Sequence, residues 1–280
     1  MKRILSTIAA LICLNANAQN LQWANATGGI NSEYGFAVAI DNSGNSFTTG
    51  YFKGTVDFDP GSATFNLTAA STTWDIFISK TDAAGNFVWA KKIGNGTGNE
   101  SSSGIAIDAA GDVYTTGHFY GTVDFDPGAG TTNLISAGGA DVYVVKLNSS
   151  GNFVWAKSFG GGVTDYSLTV TTDAQNNVYT SGYFTGPSDF DPGAGVFNLS
   201  GTYSVFISKL DANGNFVWAK NIIGNSTNEP RSVSLDGAGN VYVAGRAGDG
   251  FPTTTGVLQP TFAGDLVPNT LYGKQDGFVT

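Results

Sequence analysis

The sequence has very little cysteine and little charge of either sign. Its one cysteine, Cys13, lies near the amino terminus, so disulfide bonds cannot stabilise the rest of the chain. Only 12% of the residues are charged, and 13 basic against 22 acidic side chains give a net charge of −9. This balance offers no basic surface to phosphate groups, so nucleic acid is not an expected partner. Helical periodicity of any length is also absent, which argues against a helical or mixed fold.

The amino terminus has the pattern of an export signal. Two basic residues are followed by a short apolar run over residues 4–14 and by a small-x-small cleavage site at residues 16–18. The run is shorter than the roughly 20 apolar residues of a transmembrane helix. We therefore expect residues 1–18 to be a signal peptide and residues 19–280 to be exported, to the cell surface or outside the cell, without a membrane span.

What the chain has in abundance is repetition. The heptapeptide Gly-Asn-Phe-Val-Trp-Ala-Lys occurs unchanged at residues 85–91, 151–157 and 214–220. A divergent fourth copy, Leu21–Asn25, aligns with these on its tryptophan, so four of the five tryptophans mark one repeated position. The 39 glycines and the 12% of aromatic residues are typical of many turns between aromatic strands.

Each repeat contains four segments with the pattern of β-strands. In the unit that begins at residue 87 these are 87–91 (strand d), 104–108 (a), 113–119 (b) and 141–147 (c). Strand c is apolar on both faces and is expected inside a stack of sheets. Short turns of Asp or Asn followed by Gly separate a from b and c from d, and such turns close β-hairpins. The sequence therefore predicts four antiparallel strands per repeat as its whole inventory of elements.

Repeats of this kind predict the four-stranded antiparallel blades of an all-β fold, the β-propeller. A tandem array of β-sandwiches fits less well, because each sandwich needs about 100 residues. We expect about four repeats of 63–67 residues within one domain, over residues 21–86, 87–152, 153–215 and 216–280.

The residues around the two hairpins also resemble a known family. Residues 173–183 and 204–215 closely follow the pattern D-x-x-G-N-V-Y-x-x-G and D-x-F-x-x-K-L-D-x-x-G-N, and residues 249–260 match the segment between them. The chain in this respect resembles the bacterial SBBP-type β-propeller repeat family, often described as seven-bladed, over nearly its whole mature length. The resemblance implies a propeller fold in an exported protein. It transfers no catalytic residue, since the family has no agreed set.

The first and last units complement each other. The first copy of the repeat supplies only a strand d, Leu21–Asn25, whereas the last supplies strand a (231–236), strand b (241–246) and the start of strand c (276–280). Either Leu21–Asn25 closes a four-bladed ring, or the chain is cut short and forms an open arc of a larger ring. The position of Thr280 inside a core strand favours truncation.

Three repeats carry an Asp-Phe-Asp-Pro-Gly insertion between strands b and c, a departure from the common family form that resembles a subgroup of it. Its two carboxylates point to one side of an extended segment, an arrangement that suits a hard cation such as calcium. The alternative is a structural turn, in which the carboxylates accept backbone N–H groups and the phenylalanines fill the gap between blades. No other cofactor is expected. The candidate calcium ligands are Asp57, Asp59, Asp124, Asp126, Asp189 and Asp191, and the phenylalanines are Phe58, Phe125 and Phe190.

Residues that break the repeat are better candidates for catalysis than residues that recur in it. His118 replaces a tyrosine of other repeats, and Glu33, Glu100 and Glu229 lie in the loops from d to a. The sequence allows two interpretations of His118. It is either a ligand or general base of a functional site, or a hydrogen-bonded histidine in an aromatic slot of the strand. In a polysaccharide lyase or hydrolase these exceptional residues would converge in one pocket near the ring axis.

No nucleophile motif and no phosphate-binding loop supports catalysis. The sequence therefore predicts a non-enzymatic binding or structural module whose partner is a protein or a glycan at the loops of the blade edges. A polysaccharide-acting enzyme and a calcium-stabilised scaffold are the alternatives. The repeated lysines of strands c and d are interpreted as edge and snorkelling residues without a functional role.

Overall fold

The computed structural model describes residues 21–70, 72–95, 98–224, 226–253 and 276–280. Within these ranges the chain consists of antiparallel β-sheets joined by turns, with no α-helix. The predicted all-β, β-propeller-like fold is therefore confirmed. No helix among these residues is long and apolar enough to cross a membrane. The predicted export signal, residues 1–18, lies outside the described residues.

The first blade contains seven strands, β1 (Gly28–Gly29), β2 (Glu33–Ile40), β3 (Ser46–Phe52), β4 (Thr55–Asp57), β5 (Asn66–Thr68), β6 (Asp75–Thr81) and β7 (Phe87–Ile93). Its main sheet has the order β2-β3-β6-β7, which is the predicted order a-b-c-d. The three short strands form a separate ribbon, β1-β4-β5, beside this sheet.

The second and third blades repeat this plan. The second contains β8 (Ser101–Ile107), β9 (Val113–Phe119), β10 (Thr122–Asp124), β11 (Asn133–Ile135), β12 (Asp141–Leu147) and β13 (Phe153–Gly161). The third contains β14 (Asp165–Thr172), β15 (Val178–Asp189), β16 (Asn198–Leu210) and β17 (Phe216–Ile222). The end of β13 also pairs with β15, so backbone hydrogen bonds connect the two blades.

The fourth unit forms a three-stranded sheet in the described residues, β18 (Glu229–Leu235), β19 (Val241–Ala247) and β20 (Asp276–Val279), in that order. The predicted strands b and c of the second repeat match β9 and β12 residue for residue. The predicted a–b and c–d hairpins are thus confirmed in the first three units, and the a–b hairpin is confirmed in the fourth.

The prediction of only four strands per repeat is wrong. Each Asp-Phe-Asp-Pro-Gly insertion is bracketed by an additional pair of antiparallel segments, Thr55–Asp57 with Asn66–Thr68 in the first blade and Thr122–Asp124 with Asn133–Ile135 in the second. In the third blade the same pairing extends β15 and β16 beyond the main sheet. These three-residue segments are too short for an alternating pattern to be recognised in the sequence.

Adjacent blades pack face to face through apolar clusters, which we call the seams. Ile105, Val170 and Val233 occupy the same position on strand a of the second, third and fourth blades, and none is more than 8% exposed. Each belongs to a cluster with residues of the preceding blade, such as Ile78 for the first seam and Val144 for the second. The core therefore lies between blades, where stacking removes both faces of each sheet from water.

The repeated tryptophans connect each blade to the next. The indole Nε1 groups of Trp89 and Trp155 donate to the carbonyl oxygens of Ser149 and Ala212, at 3.3 and 3.1 Å. Both acceptors lie in the c–d turn of the following blade. Gly151 of that turn has φ +76, and a Cβ there would lie 3.0 Å from the Trp89 ring. Tryptophan and glycine recur together because the ring of one blade covers the turn of the next.

The prediction that Leu21–Asn25 forms a strand is wrong. Residues 21–27 have no regular secondary structure, because no strand of the described ranges lies beside them to form a ladder. Trp23 nevertheless donates to the carbonyl of Ala83 at 3.1 Å, and the Asn25 amide donates to that of Gly85. The segment thus contacts the first blade as strand d of one blade contacts the next. Among the described residues it does not pair with β20 to close a ring.

The strand-c lysines are not simple snorkelling residues, since each is held inside its blade. Lys146 Nζ lies 4.9 Å from the centroid of the Tyr114 ring and 3.0 Å from Asp112. Cation–π and ion-pair contacts together explain the position of the charge. Lys80 repeats the arrangement with Phe47 and Asp41, and Lys209 repeats it with Tyr179 and Asp173.

Candidate functional site

Aromatic side chains of three blades follow one another at the ends of the b strands, in a surface that we call the aromatic belt. Tyr51, His118 and Tyr183 are each the sixth residue of strand b. The residue after each of them points into the core, so alternation places these three on the other face. The belt comprises Tyr34, Tyr51 and Trp74 of the first blade, His118 and Tyr120 of the second, and Tyr166, Tyr183 and Tyr203 of the third.

The first-blade part of the belt is a triangle of rings. The centroid of Tyr51 lies 4.8 Å from that of Trp74 and 5.4 Å from that of Tyr34, and Tyr34 and Trp74 are 5.6 Å apart. Such pairs stabilise one another by about 0.5–1.5 kcal/mol each. Lys53 Nζ lies 4.1 Å from the Trp74 centroid. Tyr34 remains 49% exposed, so its ring is available to a ligand.

His118 lies in the predicted aromatic slot. Its ring is edge-on to Tyr166 at 4.1 Å and to Tyr120 at 5.9 Å, and the two tyrosine hydroxyls are 2.9 Å apart. Burial lowers the pKa of His118 to about 3, so the ring is neutral at physiological pH. Its Nδ1 is shielded from solvent and has no hydrogen-bond partner among the described residues.

Tyr203 extends the belt at the cost of an unfavourable backbone conformation. Its φ is +45, and Asn176 is the other described non-glycine residue with a positive φ. The Tyr203 ring is 47% exposed and lies 6.2 Å from the ring of Tyr183. A tyrosine gains nothing from the left-handed region, and residues held there cluster at binding sites.

A pocket of about 310 Å³ lies between the first two blades, beside the belt. This volume is near the lower limit for small-molecule sites, roughly 300–1,000 Å³. A lining of aromatic and polar side chains gives it the composition of a ligand site. The lining residues are Tyr51, Trp74, Asn99, Glu100, Ser101, His118 and Tyr120.

Glu100 is the exceptional polar group of this pocket. It is 0% exposed, and neither carboxylate oxygen has a hydrogen-bond partner in the described part of the chain. Burial, with the nearby carboxylate of Asp75 as a second cause, raises the pKa of Glu100 to about 8. A buried carboxyl group in this state is protonated near neutral pH.

The glutamates that the sequence singled out do not all meet. Glu100 and His118 line the same pocket, as the enzyme hypothesis requires. Glu33 instead accepts the backbone N–H of Gly29, and Glu229 pairs with arginines of the fourth blade. Of the four exceptional residues, only Glu100 and His118 therefore meet in one pocket.

Sequence reasoning missed most of the belt. Trp74 carries the clearest signal, because it is the one tryptophan outside the repeated strand-d position. It directly precedes strand c, where the other repeats have Ala140 and Tyr203. An aromatic residue that breaks a repeat and is not needed by the core is a candidate for binding.

The Asp-Phe-Asp-Pro-Gly loops are tight turns with internal hydrogen bonds. Asp57 Oδ1 accepts the N–H groups of Asp59 and Phe65 at 3.0 and 2.8 Å, and Asp59 Oδ1 accepts that of Gly61 at 2.8 Å. The described residues contain no group of three or more His, Cys, Asp or Glu that could hold a metal ion. The same contacts recur in the second and third blades at Asp124, Asp126, Asp189 and Asp191.

The phenylalanines of these loops are core residues. Phe125 and Phe190 are at most 1% exposed. Phe190 packs on Phe159 of the second blade at 5.3 Å, as predicted for a residue between blades, whereas Phe125 packs on Phe119 of its own blade at 5.2 Å. Phe58 packs on Phe52 and Phe77 of its own blade at 5.4 and 5.0 Å. A structural turn accounts for every one of these contacts.

Calcium binding by the loops stays a prediction, and thermal melting tests it. If the carboxylate pairs hold calcium, EDTA is expected to lower the melting temperature by several degrees, because a ligand of the folded state adds to its stability. If the hydrogen bonds described above suffice, the melting curve is unchanged. Re-addition of calcium in excess of the chelator is the control.

Comparison with known proteins gives a class of repeat but no function. No family model matches the chain. Its sequence aligns at 30% identity with an uncharacterized WD repeat-containing protein of Acanthamoeba polyphaga mimivirus. The alignment covers 62% of this chain and only 14% of that protein. A crystal structure of a protein of unknown function from Bacteroides caccae shares 13% identity over 61% of each chain. The TM-score of 0.27 is too low to indicate a common fold. WD repeats form propeller blades, which agrees with the sheets described above.

Proposed function

We propose that the chain is an exported, non-enzymatic β-propeller repeat protein that binds a carbohydrate chain along the aromatic belt. The belt itself is the observation that carries this proposal. Sugar rings have apolar C–H faces that stack on the electron-rich faces of aromatic rings. Their hydroxyl groups need polar partners at the edge of the stack, and Asn99 and Ser101 lie there in the pocket.

The repetition of the belt favours a polymer over a small molecule. Tyr51, His118 and Tyr183 stand at the same strand position in three successive blades. A ligand that runs along the belt therefore meets an aromatic side chain in each of these three blades. Several weak stacking contacts on one chain then add up, as in any multivalent site.

Two further observations support this proposal. The predicted export signal and the resemblance to the SBBP-type repeats favour a location at the cell surface or outside the cell, where polysaccharides are available. The pKa of His118 is lowered by burial, and its ring is packed between tyrosines, which leaves it poorly suited to proton transfer at neutral pH.

Trp74→Ala is expected to weaken polysaccharide binding at least tenfold, or about 1.4 kcal/mol. The ring lies in the belt and lines the pocket, so its loss removes a stacking surface. Affinity electrophoresis and calorimetry with xyloglucan, galactomannan, polygalacturonate and chitin oligosaccharides measure the effect. Tyr34→Ala, at the exposed corner of the belt, is expected to act in the same direction.

Phe197→Ala is the matched control, because Phe197 is also an exposed aromatic residue, at 37%, but stacks on Phe216 outside the belt. It is expected to bind as the unmodified chain does. The proposal is wrong if none of the polysaccharides binds, or if both belt variants retain full affinity.

A polysaccharide-cleaving enzyme is the second candidate, favoured by the shared pocket of Glu100 and His118. Incubation of the bound polysaccharide, followed by assays for reducing ends and for unsaturated products, separates the two. We expect no product. Product that disappears in Glu100→Gln would replace the binding role with a catalytic one.

A further inference from the structure

The second seam, between the second and third blades, holds two buried carboxylates. Asp141, the first residue of β12, is 3% exposed, and Asp165, the first residue of β14, is 1% exposed. A Cβ on Gly160 would lie 2.5 Å from Asp141 Oδ1 and 2.9 Å from Asp165 Oδ2, so both carboxylates face the same space. Neither forms an ion pair with a lysine or arginine of the described residues. Burial of two such charges side by side is strongly unfavourable without a cation.

One oxygen of this pair has no hydrogen-bond partner. The oxygens of Asp165 accept the N–H of Gly161 at 2.7 Å and the hydroxyl of Ser188 at 3.0 and 3.1 Å, which fixes this carboxylate in place. Asp141 Oδ2 accepts the N–H of Ala137 at 2.9 Å. Asp141 Oδ1, by contrast, is shielded from solvent and has no partner among the described residues. A buried carboxylate oxygen in this position requires a donor or a cation.

The first seam has a cation at the corresponding position. Asp75 is the counterpart of Asp141, because each pairs with the phenylalanine at the end of strand b. Lys92 Nζ lies 2.9 Å from Asp75 Oδ2 and 2.8 Å from the carbonyl oxygen of Gly94. Lys92 stands three residues after the repeated tryptophan, and Ser158 has this position in the next blade. The second seam therefore keeps the carboxylate but has a serine in place of the lysine.

The third seam has neither the carboxylates nor the lysine. Ser204 and Asn228 are the counterparts of Asp141 and Asp165, and Asn221 is the counterpart of the lysine. These three side chains are uncharged, so this seam needs no counter-charge. Of the three seams, only the second thus combines buried carboxylates with no cationic side chain among the described residues.

The loops that carry the two carboxylates pack backbone against backbone. A Cβ on Gly139, two residues before Asp141, would lie 1.9 Å from the carbonyl oxygen of Val163, two residues before Asp165. A Cβ on Gly138 would likewise lie 2.6 Å from the carbonyl oxygen of the residue before Val163. Glycine permits this close approach, which brings main-chain carbonyl oxygens to the contact between the loops. Hard cations take such oxygens as ligands together with carboxylates and hydroxyls.

We propose that the second seam binds a hard divalent cation, such as calcium, between Asp141 and Asp165. The cation takes the place that the ammonium group of Lys92 has in the first seam, and it links strand c of the second blade to strand a of the third. Its charge balances the two carboxylates, and the Ser188 hydroxyl and the main-chain carbonyl oxygens of the loops are the neutral ligands available there. This site is separate from the Asp-Phe-Asp-Pro-Gly loops, whose carboxylates accept N–H groups of their own turns.

Titration calorimetry with calcium chloride and with magnesium chloride, on the chain freed of metal by EDTA and dialysis, tests the proposal near neutral pH. We expect Asp141→Asn and Asp165→Asn each to weaken calcium binding about tenfold or more. Both substitutions keep the shape of the side chain and remove a buried charge, so the variants are expected to fold, which circular dichroism checks. Asp126→Asn, in the loop of the second blade, is the control. It leaves this binding unchanged, whereas it would weaken calcium binding by the loops.

Ser158→Lys gives the sharpest result, because it copies the first seam. A lysine here places an ammonium group beside Asp141, as Lys92 does beside Asp75. We expect this variant to melt at a higher temperature than the unmodified chain in EDTA, and to gain nothing from calcium, which stabilises the unmodified chain. The proposal is overturned if neither salt binds, or if the variants of Asp141 and Asp165 bind calcium as the unmodified chain does. If the two carboxyl groups share a proton instead, the metal-free chain responds to neither salt, which also overturns it.

Discussion

Gly117→Ala is expected to destabilise the protein by about 4 kcal/mol or more, a loss reserved for severe steric or packing defects. A Cβ on Gly117 would lie 1.8 Å from the carbonyl oxygen of Ser101 and 2.9 Å from the Cα of Ser102. Both are backbone atoms of β8, which pairs with β9 over its whole length. Neither atom can move away without separating the two strands. Strands a and b approach this closely because β8 has a bulge between Ser102 and Gly104.

Chemical denaturation measures the loss, and Gly162→Ala is the matched control. A Cβ on Gly162 would have no atom within 4 Å, and its φ does not lie in the left-handed region. Its substitution is expected to change the free energy of unfolding by no more than about 0.5 kcal/mol. Equal denaturation midpoints for the two variants would contradict the steric argument. Failure of Gly117→Ala to fold at all, with Gly162→Ala intact, would support it.

The same close approach explains a glycine that recurs in every unit. A Cβ would lie 1.8 Å from a strand-a carbonyl at Gly50 and Gly182, and 2.2 Å from one at Gly245. The recurrence of glycine at this position of strand b was visible in the sequence, but the reason why the position requires glycine was not. Only the register of two strands shows which backbone atom a side chain would meet.

Most of the fold could be predicted because its signals are local. Alternating residues specify strands such as Phe87–Ile93. An Asp that caps its own turn specifies the hairpins, as at Asp108 with the N–H groups of Ala110 and Asp112. The extra strand pairs could not be predicted, because three residues are too few for a period. The conformation of Leu21–Asn25 also could not, because it depends on whether a neighbouring strand is present.

The candidate site was largely invisible in the sequence because it is assembled across blades. Tyr120 and Tyr166 are far apart in the chain, yet their hydroxyls meet at 2.9 Å over the edge of His118. Glu100 was noticed as an exception to the repeat, but its isolation from hydrogen-bond partners is a property of packing. A repeat pattern locates blades and cannot show which side chains of adjacent blades meet.

Glu100 is expected to make the protein less stable as the pH rises from about 4.5 to about 8. The unfolded chain releases the proton of this carboxyl near the ordinary pKa of 4.5, whereas burial raises the pKa in the folded protein to about 8. The folded state therefore binds more protons between these two values. The contribution of this proton to the free energy of unfolding is complete below pH 4.5 and is lost as the pH rises through 8. The whole loss is on the order of 3 kcal/mol, from about 1.4 kcal/mol per pKa unit reduced for local relaxation.

Glu100→Gln removes this titration and isolates its effect. We expect the variant and the unmodified protein to have similar free energies of unfolding at pH 5, and the variant to be the more stable at pH 8. Burial also raises the pKa of Asp141, to about 6, so both proteins lose some stability between pH 4 and 6 and the difference between their curves cancels that contribution. Denaturant titrations at several pH values measure the two curves. Parallel curves would show that Glu100 ionises equally in both states, and the buried carboxyl of the pocket would then not be protonated at neutral pH. A gap that opens steadily above pH 5 would establish a neutral hydrogen-bond donor beside the aromatic belt, where a ligand hydroxyl needs one.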